Sequence, residues 1–338
     1  MKRRLINLDN STVLLVADPP AFSNLSPDVL FGALEAAGAC PDGRLFELNS
    51  YENRVYQIGL AGGGMRVVKF YRPSRWTDAQ ILEEHAFADE LIAADLVVSA
   101  PQFFGGSTLH HRSSLRFAVF PKLAGRAPEL DGADSLELLG RALGRLHAVG
   151  SAGSFAHRPS LSIERLGWAA RDALLNSPVA DGVIDEALIE RYDEVSAALL
   201  EKIESAVDSY GPWSAIRLHG DCHLGNILWS ETGPVFVDLD DCMTGPRIQD
   251  LWMLLSGSPD EQEGQWQALM RGYRQFHRID ESERDLIEPL RGLRMIHHSA
   301  WIAQRWDDPA FPRAFPWFTS GRFWQEHLSD LWQQLEAI

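Results

Sequence analysis

The sequence predicts an α+β fold with two lobes, in which a small antiparallel sheet is followed by a large helical lobe. Strand-like runs concentrate in the first part of the chain, helical periodicity dominates the second part, and polar motifs lie between short strands of that second part. A chain of 338 residues is long enough to give each lobe a substantial core. We place the two lobes at residues 1–121 and 122–338.

The first lobe is predicted to begin with a helix and to continue into a sheet. Ser26 is a suitable cap for a helix that extends to Ala39. Gly62–Gly64 favours a hairpin turn, and Thr77 can cap a long amphipathic helix that ends near Asp95. Five runs have the composition of strands: Leu45–Ser50, Arg54–Leu60, Arg66–Tyr71, Pro101–Phe104 and Leu115–Phe120.

The second lobe is predicted to be mainly helical. Apolar residues recur there at helical spacing, and short apolar runs bracket the polar motifs. The predicted helices are Asp134–Val149, Ala187–Ser209, Gln249–Leu255, Gln265–Arg274 and Arg284–Arg305. The predicted strands are Ala215–Leu218, Asn226–Trp229 and Val235–Val237.

Composition and charge restrict the partners and the compartment. A net charge of −16 is unfavourable for binding nucleic acid, but it allows a nucleotide site with a few local cations. No run approaches the roughly 20 apolar residues of a membrane span, and the apolar run after Lys2–Arg4 is too short for a signal peptide. The cysteines, Cys40, Cys222 and Cys242, fit a reducing compartment. We therefore expect a cytoplasmic protein that binds neither nucleic acid nor membranes.

The most informative motif runs from His219 to Asn226. Asp221 and Asn226 are five residues apart, and the histidine precedes the aspartate by two, which is the spacing of the catalytic loop in protein kinases. In such a loop the carboxylate accepts the proton of the hydroxyl that receives a phosphoryl group. We assign Asp221 as the catalytic base and His219 as a brace for the loop. The predicted fold is therefore protein-kinase-like, with the nucleotide in the cleft between the lobes.

A magnesium site is predicted beside this loop. Asp238 follows the apolar run Val235–Val237, so it projects from the end of a strand. Carboxylate and carboxamide oxygens suit Mg²⁺, and we assign Asn226 and Asp238 as its ligands. Asp240 and Asp241 extend the acidic cluster. One of them could support the metal indirectly or bind a second ion, whereas solvation or turn formation is favoured for Asp241.

Three features near the motifs leave alternatives open. His223 either contacts a phosphate or is a partly exposed loop histidine. Asp250 either anchors the catalytic loop or caps a helix. Cys222 and Cys242 are either redox-sensitive, since both adjoin motifs that converge on one metal, or inert thiols. A zinc site of His219, Cys222 and His223 is not favoured, because their spacing matches no common zinc motif.

A lysine and a glutamate in the first lobe complete the predicted nucleotide site. Lys69 lies between apolar residues in the run Val67–Phe70, and such a lysine requires an anionic partner. The α- and β-phosphates of ATP provide one partner, and a glutamate of the following helix provides another. Glu84 is the first choice for this glutamate, and Glu83 is the alternative.

The turn that covers the phosphates has no glycine-rich motif. No G-x-G-x-x-G precedes Lys69, and Gly62–Gly64 comes one strand too late. The turn between the first two strands contains Ser50 and Asn53, whose side chains and backbone N–H groups can cover phosphates. Phe120–Pro121 is expected to form the hinge whose backbone meets adenine.

Eight segments of the chain carry a family resemblance. They are Leu48–Tyr56, Val68–Pro73, Ile81–His85, Leu218–His223, Phe236–Asp241, Gln249–Leu255, Asp308–Pro312 and Phe315–Trp317. Together they resemble the bacterial stress response kinase A (YihE) family, from about Leu25 to Trp324. H-G-D-x-H-x-x-N is common to a broader group similar to aminoglycoside phosphotransferases and choline kinases, whereas the first and sixth segments are far more specific.

The resemblance implies an ATP- and Mg²⁺-dependent serine/threonine protein kinase of the stress response, cytoplasmic and monomeric. Its partners would be protein substrates with serine or threonine acceptors. The resemblance places the proton acceptor at Asp221 and Mg²⁺ at Asn226 and Asp238, and it also implies that Asp238 is a second active-site acid. The first 20 residues differ from the start of the family, and we assign them no function.

Two other functions are weighed against this one. A small-molecule kinase that phosphorylates an aminoglycoside, choline or sugar hydroxyl would use the same phosphate chemistry with a different acceptor pocket. Five aromatic residues near the end of the chain could wall such a pocket or pack the helical lobe: Trp301, Trp306, Trp317, Phe318 and Trp324. A nucleotide-binding scaffold without turnover would not need Lys69, Asp221, Asn226 and Asp238 together.

Overall fold

The structure, a computed structural model, describes residues 21–130 and 132–338. These residues form two compact units. The sheet-bearing unit comprises residues 25–161 and 206–290, and the helical unit comprises residues 21–24, 162–205 and 291–338 of the described chain. The lobe boundary after residue 121 stays a prediction. Lys2–Arg4 and the other N-terminal residues without an assigned function lie outside the described residues.

The sheet-bearing unit contains an antiparallel sheet near its start, as predicted. Its strands are β1 (Pro41–Leu48), β2 (Arg54–Leu60), β3 (Met65–Tyr71), β4 (His110–Arg112) and β5 (Leu115–Pro121). They lie in the order β1-β2-β3-β5-β4. β2 and β3 form a hairpin in which Gly59 pairs with Met65. Gly63 and Gly64 adopt left-handed φ angles of 88° and 84° in its turn, which glycine allows without strain.

Two capped helices accompany these strands along the chain. α1 (Pro27–Ala36) begins after Ser26, whose hydroxyl accepts a backbone N–H of the first turn at 3.3 Å. α2 (Asp78–Ala93) begins after Thr77, and Thr77 and Gln80 form a reciprocal capping box. Both predicted caps are confirmed. The capping box sets where α2 begins and therefore which of its residues face the sheet.

The rest of the chain is mainly helical, as predicted, with two short two-stranded ladders. The helices are α3 (Ala133–Ser151), α4 (Ala169–Leu175), α5 (Glu186–Tyr210), α6 (Pro259–Tyr273), α7 (Ile287–Gln304), α8 (Ala310–Ala314) and α9 (Gly321–Ala337). The strands are β6 (Ala215–Leu218), β7 (Ile227–Ser230), β8 (Gly233–Phe236) and β9 (Met243–Pro246). β6 pairs with β9 and β7 pairs with β8, both antiparallel. In the described part of the chain, no helix combines the length and apolarity needed to cross a membrane.

The predicted strand Pro101–Phe104 is wrong. Phe104 instead forms a bridge with Ser107, closed by hydrogen bonds of 2.8 and 3.0 Å. Pro101 has no N–H to donate to a ladder, and Gly105–Gly106 turn the chain at positive φ directly afterwards. The strand that pairs with β5 at the sheet edge is β4, which the sequence analysis missed.

The predicted helix Gln249–Leu255 is also wrong. Two 3₁₀ turns, Arg247–Asp250 and Trp252–Leu254, replace it. Their hydrogen bonds span three residues, and the Asp250 carboxylate is bound to the backbone of residues 219 and 220. A tertiary contact thus outweighs the local apolar pattern, which is compatible with an α-helix.

Aromatic side chains fill the helical unit. Phe311, Phe318 and Trp324 are fully buried. The Trp324 indole N–H donates to the Phe318 carbonyl at 2.7 Å, and its ring meets the Tyr192 ring edge-on at 5.6 Å. These residues therefore pack the helical unit, whereas Trp317 is 41% exposed.

Candidate active site

Lys69 is the centre of a buried charge cluster in the sheet-bearing unit. β3 carries it, and its side chain is 7% exposed. Its Nζ atom lies 3.0 Å from Glu84 Oε1, 3.4 Å from Asp240 Oδ1 and 3.5 Å from Asp238 Oδ1. The structure thus brings Lys69 to the first choice of the two glutamates and to the predicted metal ligand Asp238.

Burial and opposite charges act against each other in this cluster. Burial alone would lower the pKa of Lys69, but Glu84 and the other anionic neighbours raise that pKa well above its ordinary value. Burial raises the pKa of Glu84. Burial would also raise the pKa of Asp240, but Lys69 and two arginines hold it well below its usual range. Lys69 and Asp240 are therefore both charged at neutral pH.

Asp250 anchors the loop that carries Asp221. Its fully buried carboxylate accepts hydrogen bonds from His219 N at 2.7 Å and from Gly220 N at 2.8 Å. His147, also fully buried, places Nε2 3.2 Å from the same carboxylate. Because the backbone before Asp221 is fixed in this way, the structure supports the anchoring role of Asp250 and not the helix-capping alternative.

His219 and Gly220 connect the catalytic loop to the acidic segment. His219 is fully buried, and its Nε2 donates to the Val237 carbonyl at 3.0 Å, which fits the predicted bracing role. Gly220 has a φ of +87°, and a Cβ atom there would lie 2.1 Å from the Asp241 carbonyl oxygen. Only glycine allows the two backbones to approach this closely.

Asn226 and His223 both approach Asp221. The Asn226 amide nitrogen donates to the Asp221 carbonyl at 3.0 Å and lies 3.4 Å from the Asp221 carboxylate. The oxygen of that carboxamide therefore faces the opposite direction. His223 Nε2 lies 3.4 Å from the Asp221 carboxylate, and its Nδ1 accepts the Gly225 N–H at 2.9 Å. The His223 side chain is 37% exposed, and its contact with a phosphate stays a prediction.

The β7–β8 ladder brings Asn226 and Asp238 together. Ile227 pairs with Phe236, and Val237 N donates to the Asn226 carbonyl at 3.0 Å. Asp238 follows directly, with a left-handed backbone (φ 58°, ψ 65°) and a side chain that is 51% exposed. The two predicted metal ligands therefore adjoin the same end of one ladder.

The oxygen donors at this position fit Mg²⁺. Among residues 21–130 and 132–338, no group of three or more His, Cys, Asp and Glu side chains is arranged to hold a metal. Mg²⁺ usually takes one or two protein carboxylates and completes its shell with phosphates and water, so Asn226 and Asp238 suffice. The zinc alternative finds no support, because His219 is bonded to a carbonyl and Cys222 is fully buried.

The turn between β1 and β2 contains Ser50 and Asn53 in different environments. Ser50 is partly exposed. Asn53 is 3% exposed, and its amide nitrogen donates to Asp240 Oδ2 at 3.2 Å while its oxygen accepts Arg72 N at 3.0 Å. The Asn53 side chain thus connects this turn to the acidic segment. Contacts of Ser50 or Asn53 with phosphates stay predictions.

Two arginines that the sequence motifs do not indicate bind the acidic segment, residues 238–242. Arg75 donates to the Asp240 carboxylate and, at 2.6 Å, to that of Asp241. Arg158 donates to the carbonyls of Asp240 at 2.5 Å and Cys242 at 2.8 Å. The sequence does indicate that such cations are needed. The three carboxylates among residues 238–241 carry more negative charge than one lysine can balance, so further cations are required.

Glu83, the second choice as partner of Lys69, has another function. Its carboxylate accepts the backbone N–H groups of Ala156 at 2.5 Å, His157 at 2.8 Å and Arg158 at 2.7 Å. Glu83 therefore fixes the loop that carries Arg158, while its neighbour Glu84 fixes Lys69.

Cys222 and Cys242 are fully buried free thiols. Burial raises the pKa of both. Oxidation-sensitive cysteines are accessible and readily ionised, so the structure favours inert thiols over a redox-sensitive pair.

The chain matches a known enzyme family over most of its length. A sequence profile of the phosphotransferase enzyme family (APH) matches residues 45–287. Stress response kinase A of Escherichia coli (strain K12) is 42% identical over 317 residues, which cover 94% of each chain. The chain belongs to the phosphotransferase enzyme family. Within that family it groups with stress response kinase A, and a Salmonella typhimurium (strain LT2) relative named serine/threonine protein kinase RdoA is 40% identical with the same coverage.

Solved structures confirm the fold expected of this family. Amicoumacin kinase hAmiN in complex with AMP-PNP, Ca²⁺ and Ami has a TM-score of 0.71 at 18% identity, covering 93% of this chain and 94% of its own. A microcompartment-associated aminopropanol kinase has a TM-score of 0.63 at 18% identity, with coverages of 90% and 95%. Spectinomycin phosphotransferase APH(9)-Ia has a TM-score of 0.62 at 14% identity, with coverages of 92% and 98%. The predicted protein-kinase-like α+β fold is confirmed, and the chain is a phosphotransferase.

Proposed function

We propose that this phosphotransferase is an ATP- and Mg²⁺-dependent serine/threonine protein kinase of the stress response, active as a cytoplasmic monomer. The observation that carries the proposal is the connection from Glu84 through Lys69 to Asp238, with contacts of 3.0 and 3.5 Å. Asp238 adjoins the ladder that also fixes Asn226, and Asn226 is bonded to Asp221. A cation for phosphates, oxygen ligands for a metal and a base for a hydroxyl thus belong to one connected arrangement.

Each group has a defined role in the transfer. Lys69, held by Glu84, binds the α- and β-phosphates of ATP. Asn226 and Asp238 would hold Mg²⁺, which neutralises phosphate charge when it is bound. Asp221 orients the acceptor hydroxyl and takes its proton as the new O–P bond forms and the bond between ADP and the γ-phosphoryl group breaks. A binding scaffold would require no base at Asp221.

The acceptor class is supported by the relatives of higher identity. Proteins 40–42% identical to this chain are named stress response kinase A or serine/threonine protein kinase. The fold neighbours at 18% identity or less include kinases of aminopropanol and spectinomycin. A small-molecule hydroxyl is therefore the alternative acceptor, since the same fold serves both classes.

The experiment supplies γ-labelled ATP and Mg²⁺ to the full chain, with generic protein substrates and with a panel of aminoglycosides, choline and sugars. Asp221→Asn is compared with Asp208→Asn, a matched change at an exposed position of α5. We expect label on serine or threonine from the wild type and from Asp208→Asn. Asp221→Asn should lose about 10²–10⁴-fold in transfer rate and keep its ATP affinity.

Other results would lead to different conclusions. Labelling of a metabolite without protein labelling identifies a small-molecule kinase. Transfer at a near-normal rate by Asp221→Asn shows that Asp221 is not the base. ATP binding by the wild type without transfer to any acceptor identifies a nucleotide-binding scaffold.

A further inference from the structure

Asp238 has a backbone conformation that is unfavourable for a residue with a side chain. Its φ of 58° and ψ of 65° lie in the left-handed region. This region costs a non-glycine residue about 1–2 kcal/mol, and such conformations persist where the surrounding structure fixes them. The residues that follow, 239–242, are held by hydrogen bonds from two arginines, Arg75 and Arg158.

Arg75 holds this segment through two side chains. One Nη atom donates to the Asp240 carboxylate, and the other donates to Asp241 Oδ1 at 2.6 Å. The Nε atom lies 3.7 Å from Glu52 Oε1 in the turn between β1 and β2. One planar guanidinium thus joins two residues of the segment to that turn, which the single ammonium of a lysine cannot reproduce.

Arg158 holds the backbone of the same segment. Its guanidinium binds the carbonyls of Asp240 and Cys242, and it lies over the Trp76 ring at 4.2 Å. Arg75 lies over that ring at 5.0 Å. Arg158 thus binds backbone carbonyls of the segment, whereas Arg75 binds its carboxylates.

The charge balance gives Arg75 a second effect. The side chain of Asp240 is 3% exposed, so its charge must be compensated within the protein. Lys69 lies within 3.5 Å of Glu84, Asp238 and Asp240. If Arg75 were removed, Lys69 would have to balance a larger share of the Asp240 charge, and the segment that follows Asp238 would lose its side-chain anchor.

We propose that Arg75 is a positioning residue for phosphoryl transfer: through Asp240 and Asp241 it holds Asp238 in the orientation that binds Mg²⁺ together with the nucleotide. This inference rests on the proposed function. Arg75 acts through the segment, because its side chain is 14% exposed and its donors are directed at carboxylates. The metal-dependent part of nucleotide binding should therefore depend on Arg75, and the metal-free part should not.

The test compares Arg75→Met and Arg75→Lys with Arg171→Met in the full chain. Arg171 is a close match in environment, since its side chain is 15% exposed, pairs with Asp172 and Asp193, and lies over the Trp168 ring at 5.8 Å. It belongs to the helical unit. The rise in melting temperature caused by ATP is measured in EDTA and over a series of Mg²⁺ concentrations, and the kcat and KM for transfer are measured at the same Mg²⁺ concentrations.

In the wild type and in Arg171→Met, Mg²⁺ should increase the thermal shift produced by ATP. In Arg75→Met the apparent Mg²⁺ affinity should fall by about 10–100-fold, the range for residues that orient metal ligands. The shift in EDTA should match that of Arg171→Met, and excess Mg²⁺ should recover part of kcat. The apparent Mg²⁺ affinity of Arg75→Lys should lie between those of Arg75→Met and the wild type.

Equal Mg²⁺ dependence in Arg75→Met and Arg171→Met overturns the inference. Equal losses for metal-free and Mg²⁺-bound ATP also overturn it, because they indicate that Arg75 contacts the phosphates directly. If Arg75→Met does not fold, Asp241→Ala removes the bond from Arg75 to Asp241, and an unchanged Mg²⁺ dependence in that variant is equally decisive. A wild type that neither binds ATP nor transfers phosphate overturns the proposed function itself, so the two failures are distinguishable.

Discussion

Both the sheet-bearing unit and the helical unit bury aromatic and aliphatic side chains, but the sheet-bearing unit also buries a cluster of charged residues. Lys69, Glu84 and Asp250 are buried charged residues in the first, whereas Phe318 and Trp324 are buried aromatic residues in the second. A buried charge needs a partner in a fixed position, but apolar burial is non-directional. Loss of one charged partner should therefore reduce activity and stability together, whereas loss of an aromatic side chain should reduce stability alone.

The strongest test of this difference is Lys69→Met. It removes the cation that we propose to bind the phosphates, and it leaves the buried carboxylate of Glu84 without its 3.0 Å partner. We expect transfer to be abolished and the free energy of unfolding to fall by about 3–5 kcal/mol, measured by urea denaturation beside the transfer assay.

The double variant Lys69→Met/Glu84→Leu extends this test. Replacing both members of this buried ion pair by apolar residues removes the uncompensated charge of Glu84, although Asp240 still lacks Lys69, so part of the stability should return while transfer remains absent. A single Lys69→Met variant with wild-type stability would contradict the role of pairing in the sheet-bearing unit.

Trp324→Ala tests the other side of the comparison. The ring is fully buried, and its removal should cost about 3–5 kcal/mol of unfolding free energy, while the rate per folded molecule stays near that of the wild type. Trp332→Ala, on the same helix but 44% exposed, is the control and should change stability by no more than about 0.5 kcal/mol. A large loss of rate in folded Trp324→Ala would remove the distinction between the units.

A smaller effect is expected from buried histidines, which occur in both units. Burial lowers the pKa of His85, between Tyr71 and Thr108, to about 3, and lowers that of His327 to about 4. The unfolded chain binds the proton near pH 6.5 and the folded chain does not, so stability should fall as the pH falls below that value. From pH 7 to pH 5 His85 should account for about 2 kcal/mol.

Urea denaturation at pH 7 and pH 5 measures this dependence. His85→Gln should reduce the difference in unfolding free energy between the two pH values, whatever its effect on stability at pH 7. His111→Gln, at a 52% exposed side chain of β4, is the control. An undiminished pH dependence in His85→Gln would show that His85 titrates normally in the folded protein.

The smallest effect is expected at an exposed ion pair of the helical unit. Arg322 Nε lies 2.8 Å from Glu326, and the two side chains are 85% and 59% exposed. Solvent screens such a pair, so Arg322→Ala should leave the unfolding midpoint and the transfer rate unchanged. A measurable drop in the midpoint would show that surface charges also contribute to this unit.

Local hydrophobic periodicity was sufficient to predict the helices and strands that bury one continuous face. β2 has the predicted bounds and α2 begins after its predicted cap, because apolar spacing and capping residues act over a few positions. The same reasoning failed for Gln249–Leu255. There the conformation depends on Asp250 binding a loop about thirty residues earlier in the chain, which no local pattern encodes.

The residues of the candidate site also fall into those that the sequence could predict and those that it could not. Asp221, Asn226, Asp238 and Lys69 belong to motifs of fixed spacing, so their convergence could be predicted. Arg75, in contrast, is separated from Asp240 by 165 positions, a pairing that only the folded chain creates. Charge balance could have indicated that such a cation was needed, but not which arginine supplies it.

Two consecutive glutamates of α2 connect this helix both to Lys69 and to the loop of residues 156–158. Glu84 binds Lys69, and Glu83 binds three successive amides of residues 156–158. Neighbouring helix positions point in directions about 100° apart, so any rotation or sliding of α2 would break both sets of bonds at once. A ligand or partner that displaced this one helix would thereby disconnect both Lys69 and the loop of Arg158 from it in a single step.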